Sequence, residues 1–254
     1  MKVMTFNLRV DVEVDGINRF FSRTDRVLEV IRNESPDLIG FQEAKDNMRA
    51  FLRENLKNDY TVLGCGYDKN YKNVGNPIAF KSDRFELLEL QTKWFSPYPD
   101  EPGSKYETFD QSKYPRYYYL AKLRVIETDE IIYFVNAHTD HAGATVRVLA
   151  SYQILKLWRD CKGYPMILVG DLNAKPDSKE IQLLSSDPDL KMVDVTSHIS
   201  GSFHQWGKLT DWKIDYIFTN LPCVESYKVE DIPVNGVYIS DHNPVVAVLQ
   251  NDNE

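Results

Sequence analysis

Six short apolar runs in this chain each meet a carboxylate, amide or imidazole at one end, and that pattern constrains the fold more than any other feature. Met166-Ile167-Leu168-Val169 leads into Gly170-Asp171-Leu172-Asn173. In extended backbone, residues two apart face the same side, which puts Asp171 and Asn173 on one face. Val3-Met4-Thr5-Phe6 likewise leads to Asn7, Leu38-Ile39-Gly40-Phe41 to Gln42-Glu43, and Ile131-Ile132-Tyr133-Phe134-Val135 to Asn136 and His138. Two runs carry the polar group at their start: Asp215 precedes Tyr216-Ile217-Phe218, and Ser240-Asp241-His242-Asn243-Pro244 precedes Val245-Val246-Ala247-Val248-Leu249. If the first group of strands runs one way and the second runs opposite, all the polar clusters meet at one sheet edge. An all-parallel sheet would place Asp215 and Asp241 at the wrong end.

Helices fall between these runs. Val27, Leu28 and Ile31 recur at helical intervals after Ser22-Arg23-Thr24-Asp25, which has the spacing of a capping box, so residues 22–34 form a helix stopped by Pro36. Met48, Phe51, Leu52 and Leu56 define a second helix over 45–57, and Val148, Tyr152, Leu155 and Trp158 a third over about 143–160. Strand-like runs lie near 60–64, 77–81, 85–90 and 117–123, and the last third is mostly strand. Residues 96–115 hold Pro97, Pro99, Pro102 and Pro115 and few aliphatics, which reads as a long surface loop. This order favours an α/β sandwich of two sheets covered by helices.

The 254 residues, 43% hydrophobic, fit one domain over 1–254. A formal charge of −8 argues against broad attraction to nucleic acid or anionic membrane and allows negative charge to gather at a cation site. Cys65, Cys161 and Cys223 are odd in number and widely spaced, showing neither a disulfide framework nor zinc spacing. No apolar run has signal-peptide or transmembrane character, so a cytoplasmic protein is expected, or a secreted one whose signal has been removed. Nothing marks an obligate protein partner.

A single Asn or Asp at a strand end is more often a turn former than a catalytic group, and a lone His138 is as readily a satisfied core histidine. Six such ends at matching positions change that balance. Asn7, Glu43, Asp171, Asn173 and Asp241 offer oxygen ligands, which suit Mg2+ or Mn2+ completed by substrate phosphate. His242 is a candidate general base whose other nitrogen Asp215 would hold, and His138 a donor to the phosphoryl group or the leaving group.

In order along nearly the whole chain, Thr5-Phe6-Asn7-Leu8-Arg9, Gly40-Phe41-Gln42-Glu43, Asn136-Ala137-His138, Gly170-Asp171-Leu172-Asn173, Ile214-Asp215-Tyr216-Ile217-Phe218 and Ser240-Asp241-His242-Asn243-Pro244 resemble the endonuclease/exonuclease/phosphatase superfamily, which has the deoxyribonuclease I-like fold. Small bacterial members carrying Asn-x-His-x-Asp-His are similar to Asn136-Ala137-His138-Thr139-Asp140-His141. The resemblance implies a four-layer α/β sandwich of two mixed, mostly antiparallel sheets and metal-dependent phosphoester hydrolysis. It implies that Glu43, Asn7 and Asp241 hold Mg2+ or Mn2+, that Asp171 and Asn173 align or activate the nucleophile, and that His138 and His242 serve the phosphoryl group, with Asp215 orienting His242. Pro115-Arg116 looks like the family's arginine before a sheet strand, either a phosphate contact or a loop arginine exposed to water; Arg9, expected to face the same way as Asn7, is a similar candidate. Where many relatives have a glutamate supporting the imidazole at His138, this chain has Asn76, an uncharged substitute.

The expected substrate is a phosphorylated small molecule, a lipid headgroup or an oligonucleotide. A nuclease is the alternative enzyme and a non-catalytic binding protein the alternative class. Trp94, Phe95, Tyr98, Tyr106, Phe109 and Tyr114 either stack on a base, sugar or headgroup or form the loop's own core. Phe203, His204, Gln205 and Trp206 form a second loop expected to face the site.

Overall fold

A computed structural model describes residues 1–250. In chain order the elements are β1 (Lys2–Asn7), α1 (Thr24–Glu34), β2 (Leu38–Gln42), α2 (Asp46–Leu56), β3 (Tyr60–Leu63), β4 (Ile78–Lys81), β5 (Phe85–Trp94) and β6 (Tyr117–Val125). They continue with β7 (Ile131–His138), α3 (Ala144–Asp160), β8 (Met166–Asp171), α4 (Lys179–Leu184), β9 (Val193–Asp194), β10 (Asp215–Thr219), β11 (Cys223–Lys228) and β12 (Val245–Leu249).

The strands form two six-stranded sheets, ordered β11-β12-β1-β2-β4-β3 and β5-β6-β7-β8-β10-β9. Each sheet has one parallel pair joined through a helix, β1–β2 through α1 and β7–β8 through α3, and every other pairing is antiparallel. β12 runs antiparallel to β1 and β10 antiparallel to β8, so the two strands that begin with their polar residue begin where the other four end.

Side-chain alternation separates the layers. Val3, Leu38, Phe134, Ile167, Val169, Ile217, Val245 and Ala247 point between the sheets and form the central core. Met4, Phe6, Ile39 and Phe41 point outward against Val27, Leu28 and Ile31 of α1 and Met48, Leu52 and Leu56 of α2. Val135, Leu168, Tyr216 and Phe218 point outward against Ile154, Leu155 and Trp158 of α3 and Ile181 and Leu184 of α4. The order helix, sheet, sheet, helix is a four-layer α/β sandwich. Across the seam β1 faces β8, β2 faces β7 and β12 faces β10.

Toward one edge the seam turns polar. Asn136 is fully buried, and its Nδ2 donates to the carbonyls of Phe41 (2.8 Å), Asn76 (2.9 Å) and Pro77 (3.0 Å). Its Oδ1 accepts from Gln42 Nε2 at 2.8 Å. One amide therefore ties β7 to the opposite sheet. Gly40 is required at this closest approach: a Cβ there would lie 2.3 Å from Val169 Cγ2 and 2.7 Å from Asn136 Oδ1.

Three local expectations change. The N-cap of α1 is Arg23 and no side chain caps that end, while Ser22 belongs to a preceding 3-10 turn. On α3 the buried face is Val146, Ala150, Ser151, Ile154, Leu155 and Trp158, and Tyr152 is exposed, because small Ala150 and Ser151 let the helix seat closely there. Residues 96–115 hold neither helix nor strand, as expected, but Trp94 and Phe95 at the loop's entrance are core residues while Phe109 is 95% exposed. No helix among the described residues is long and apolar enough to cross a membrane.

Candidate active site

Strand register assembles the first row of the site. His138 pairs with Asp171 across β7 and β8, and Asp171 pairs with Asp215 across β8 and β10. All three share the parity of Phe134, Val169 and Ile217, so they lie at the rim of the inter-sheet face and are 2% exposed. From the opposite sheet Asn7 reaches over the seam, and its Nδ2 donates to Asp171 Oδ2 at 2.9 Å.

Glu43, Arg9 and Asn173 stand just past strand ends, all with left-handed backbone (φ 62°, 52° and 49°). Such conformations are unfavourable for Glu and Arg, and here they release these residues from strand alternation. Glu43 would otherwise follow Phe41 toward the helix layer; instead its Oε1 lies 3.5 Å from Asn7 Nδ2 and its Oε2 accepts from the Val10 N–H at 2.9 Å. Asn173 folds back, its N–H donating to Asp171 Oδ1 at 2.9 Å and its Nδ2 to the Thr139 carbonyl at 3.2 Å.

The turn before β12 supplies the last groups. Ser240 Oγ donates to the Asn7 carbonyl at 2.6 Å, locking this turn to the end of β1. His242 Nδ1 donates to Asp215 Oδ2 at 2.8 Å, and its Nε2 lies 3.9 Å from both Asp171 Oδ2 and Asp241 Oδ1. The Phe203 ring covers His242 at a centroid distance of 4.8 Å.

Arg116 approaches from the end of the long loop. Its Nη1 lies 3.1 Å from His138 Nε2, and its Nη2 donates to His141 Nδ1 at 2.9 Å. Its Nε is shielded from solvent without a hydrogen-bond partner, and among the described residues no carboxylate forms an ion pair with it.

These contacts invert the usual protonation preferences. Burial, reinforced by the Asp215 carboxylate, pushes Asp171 up to about 7. Burial opposes charge on His242, but Asp215, Asp241 and Asp171 outweigh it and raise the imidazole to about 10. Burial, with Arg116 and His242 nearby, holds His138 well below its usual value. Burial opposes ionisation of Glu43 as well, yet the Val10 N–H and the Arg9 charge keep its pKa below the usual value.

The donor set fits a hard divalent cation. Among the described residues, Glu43, His138 and Asp171 bring ligand atoms within 4.8 Å of one another, as do Asp171, Asp215 and His242. Asp215 Oδ1 is buried without a partner in the same cluster. Oxygen-rich sites of this kind suit Mg2+ or Mn2+.

Sequence reasoning brought together Asn7, Glu43, His138, Asp171, Asn173, Asp215, Asp241 and His242, and the fold places all of them at this rim. Arg9 lies beside the same rim, where its Nε and Nη2 grip Asp15 at 2.9 and 3.1 Å and its Nε faces Asp241 at 3.7 Å. Asn7 presents its amide nitrogen to the carboxylates, while its Oδ1 accepts from the Arg9 N–H at 2.9 Å. Asn76 does not support His138; its N–H donates to the Tyr117 hydroxyl at 2.7 Å and its Nδ2 to the Tyr117 carbonyl at 3.3 Å. His141 closes the Asn136–His141 motif, and its place beside Arg116 is not legible from it. Its contact with Arg116 spans 25 residues, a separation that carries no local signal.

A profile of the endonuclease/exonuclease/phosphatase family matches residues 4–242. The chain belongs to this family. Similar solved structures include an endonuclease/exonuclease/phosphatase from Bacteroides vulgatus, 27% identical over 98% of each chain with a TM-score of 0.89. A mannosyl-6-phosphatase from Bacteroides thetaiotaomicron is 22% identical over 99% of this chain and 100% of its own, with a TM-score of 0.88. An uncharacterised protein of Acanthamoeba polyphaga mimivirus is 23% identical over 98% of this chain and 100% of its own length. Members of the endonuclease/exonuclease/phosphatase family are generally phosphoester hydrolases.

Proposed function

We propose that this protein is a Mg2+- or Mn2+-dependent hydrolase of a small phosphoester, with the phosphate ester of a polar alcohol as its preferred substrate. The observation that carries this reading is the meeting, at one rim of the seam, of the Asp171–His242 pair and an arginine with no carboxylate partner among the described residues. An arginine held against neutral imidazoles is a natural anion receptor. The net charge of −8 favours a small substrate over a polynucleotide, and the likeness to a mannosyl-6-phosphatase points the same way.

Glu43, with Asp241 beside it, would hold the cation, whose chemistry when bound is to neutralise charge on the phosphoryl oxygens. Asp171, raised toward neutrality, accepts the proton of the attacking water, and the Asn173 N–H and Asn7 amide orient its two oxygens. His242 acts as an imidazolium that donates Nε2–H to a phosphoryl oxygen, anchored through Nδ1 on Asp215. Arg116 receives another oxygen. His138, kept neutral, hydrogen-bonds the phosphoryl group and does not protonate the leaving alcohol.

Turnover of phosphomonoester and phosphodiester panels with Mg2+, Mn2+ or chelator tests the reading. Asp171→Ala and His242→Ala should each lower kcat by about 10²–10⁴-fold. Turnover that survives metal removal, or is unchanged in either variant, would refute this mechanism. Selective cleavage of oligonucleotides would instead favour a nuclease.

A further inference from the structure

Beyond the buried cluster, Arg116 connects to a second group of side chains that leads out to solvent. Its Nη2 lies 2.9 Å from His141 Nδ1. A guanidinium has donors and no acceptor, so Nδ1 must carry the lone pair and the ring proton must sit on Nε2. That Nε2–H has no partner among the described residues, and His141 is exposed. The Tyr114 ring, 38% exposed, lies 6.2 Å from the imidazole, and Tyr67 meets Tyr114 edge-on at 6.0 Å. Lys113 Nζ lies 5.1 Å from the Tyr114 ring centroid.

This group is held in place. Buried Asp140 accepts from the Ser112 N–H (3.2 Å) and Oγ (2.5 Å) on the long loop, and from the N–H groups of Ala142 and Gly143 (2.9 Å each) after His141. One carboxylate thus fixes the loop bearing Tyr114 and Arg116 against the turn bearing His141.

We propose that His141 determines specificity by donating its Nε2–H to a hydroxyl of a sugar-like alcohol that lies against Tyr114 while Arg116 holds the phosphate. A neutral donor beside an aromatic wall complements hydroxyls and ring C–H groups, as a polyhydroxylated alcohol provides. The inference rests on the phosphoester-hydrolase reading above and adds to it the residue that recognises the leaving group.

The test compares a hexose 6-phosphate with phenyl phosphate, which has no hydroxyl on its leaving group apart from the ester oxygen, using the full chain with Mg2+. His141→Ala removes the Arg116 contact for both substrates, so the readout is the ratio: KM for the hexose phosphate should rise about five- to tenfold more than KM for phenyl phosphate, the loss of one hydrogen bond. His141→Gln, whose amide nitrogen can stand where Nε2 stood, should recover most of the loss, whereas His141→Asn, one methylene shorter, should not. Equal losses on both substrates would overturn the inference, since His141 would then act through Arg116 on phosphate. No loss on either, or wild-type turnover of phenyl phosphate with no preference for the hexose phosphate, would overturn it while leaving the hydrolase reading intact. Turnover of neither substrate, nor of any phosphoester panel, would overturn both.

Discussion

Asp171 and His242 face each other at 3.9 Å with their ordinary tendencies exchanged, the acid raised toward neutrality and the imidazole raised to about 10. Asp215 is central to both shifts, so Asp215→Asn should lower the His242 pKa by more than one unit, read from the ring-proton NMR titration, and reduce kcat about tenfold or more. The pair also has a stability signature. Because the folded-state pKa of His242 lies above its ordinary 6.5, its stabilising contribution is full below about pH 6.5 and disappears as pH rises through about 10. The difference in Tm between wild type and Asp215→Asn should therefore shrink between neutral pH and pH 10; a constant difference would show that the charge pair is not its source. At this scale the sequence was readable wherever strand parity governs, as at His138, Asp171 and Asp215. Glu43 and Asn173 were legible as site residues by type and motif, but their orientation, like that of Arg9, was not, because a left-handed residue breaks the alternation at each, and only Asn among them is a type that favours that backbone. Asn76 departs from expectation for a different reason: its side-chain amide donates to the Tyr117 carbonyl, 41 residues away in sequence.

Among the elements, the extents of the long helices were legible, and α1, α2 and α3 begin within two residues of expectation, although on α3 the buried stripe includes neither Val148 nor Tyr152. Short α4 and the two-residue β9 bury too few side chains to leave such a pattern. The direction of β10 and β12 followed from the position of Asp215 and Asp241 at their starts, a chemical inference that the antiparallel registers bear out. What pattern alone could not supply was the contact between β2 and β7. Gly40 leaves room there for Val169 and Asn136, so Gly40→Ala should destabilise the protein by about 1–3 kcal/mol through overpacking, measured by denaturant unfolding. Unchanged stability would mean the sheets can separate without penalty at that point.

For the whole molecule, three strands from each sheet deliver the site, and the acidic groups they bring together repel one another at the rim. A bound divalent cation should therefore stabilise the folded state, by about 2.7 kcal/mol at a hundred times Kd. Tm should rise with Mg2+ or Mn2+, fall back with chelator, and respond little in Glu43→Gln; an undiminished rise in that variant would place the cation elsewhere. The seam has one more consequence. Asn7 and Glu43 ride on one sheet while Asp171 and His138 ride on the other, so the apolar filling between them acts as the gauge block that sets the reacting distance. Ile217→Ala, at a fully buried position two residues along β10 from Asp215, should slow turnover about tenfold even well below its lowered Tm, because small displacements of catalytic groups weigh heavily on rate. The interior of this protein would then be a source of kinetic variation that never touches substrate, and tuning the thickness of that filling would tune the enzyme.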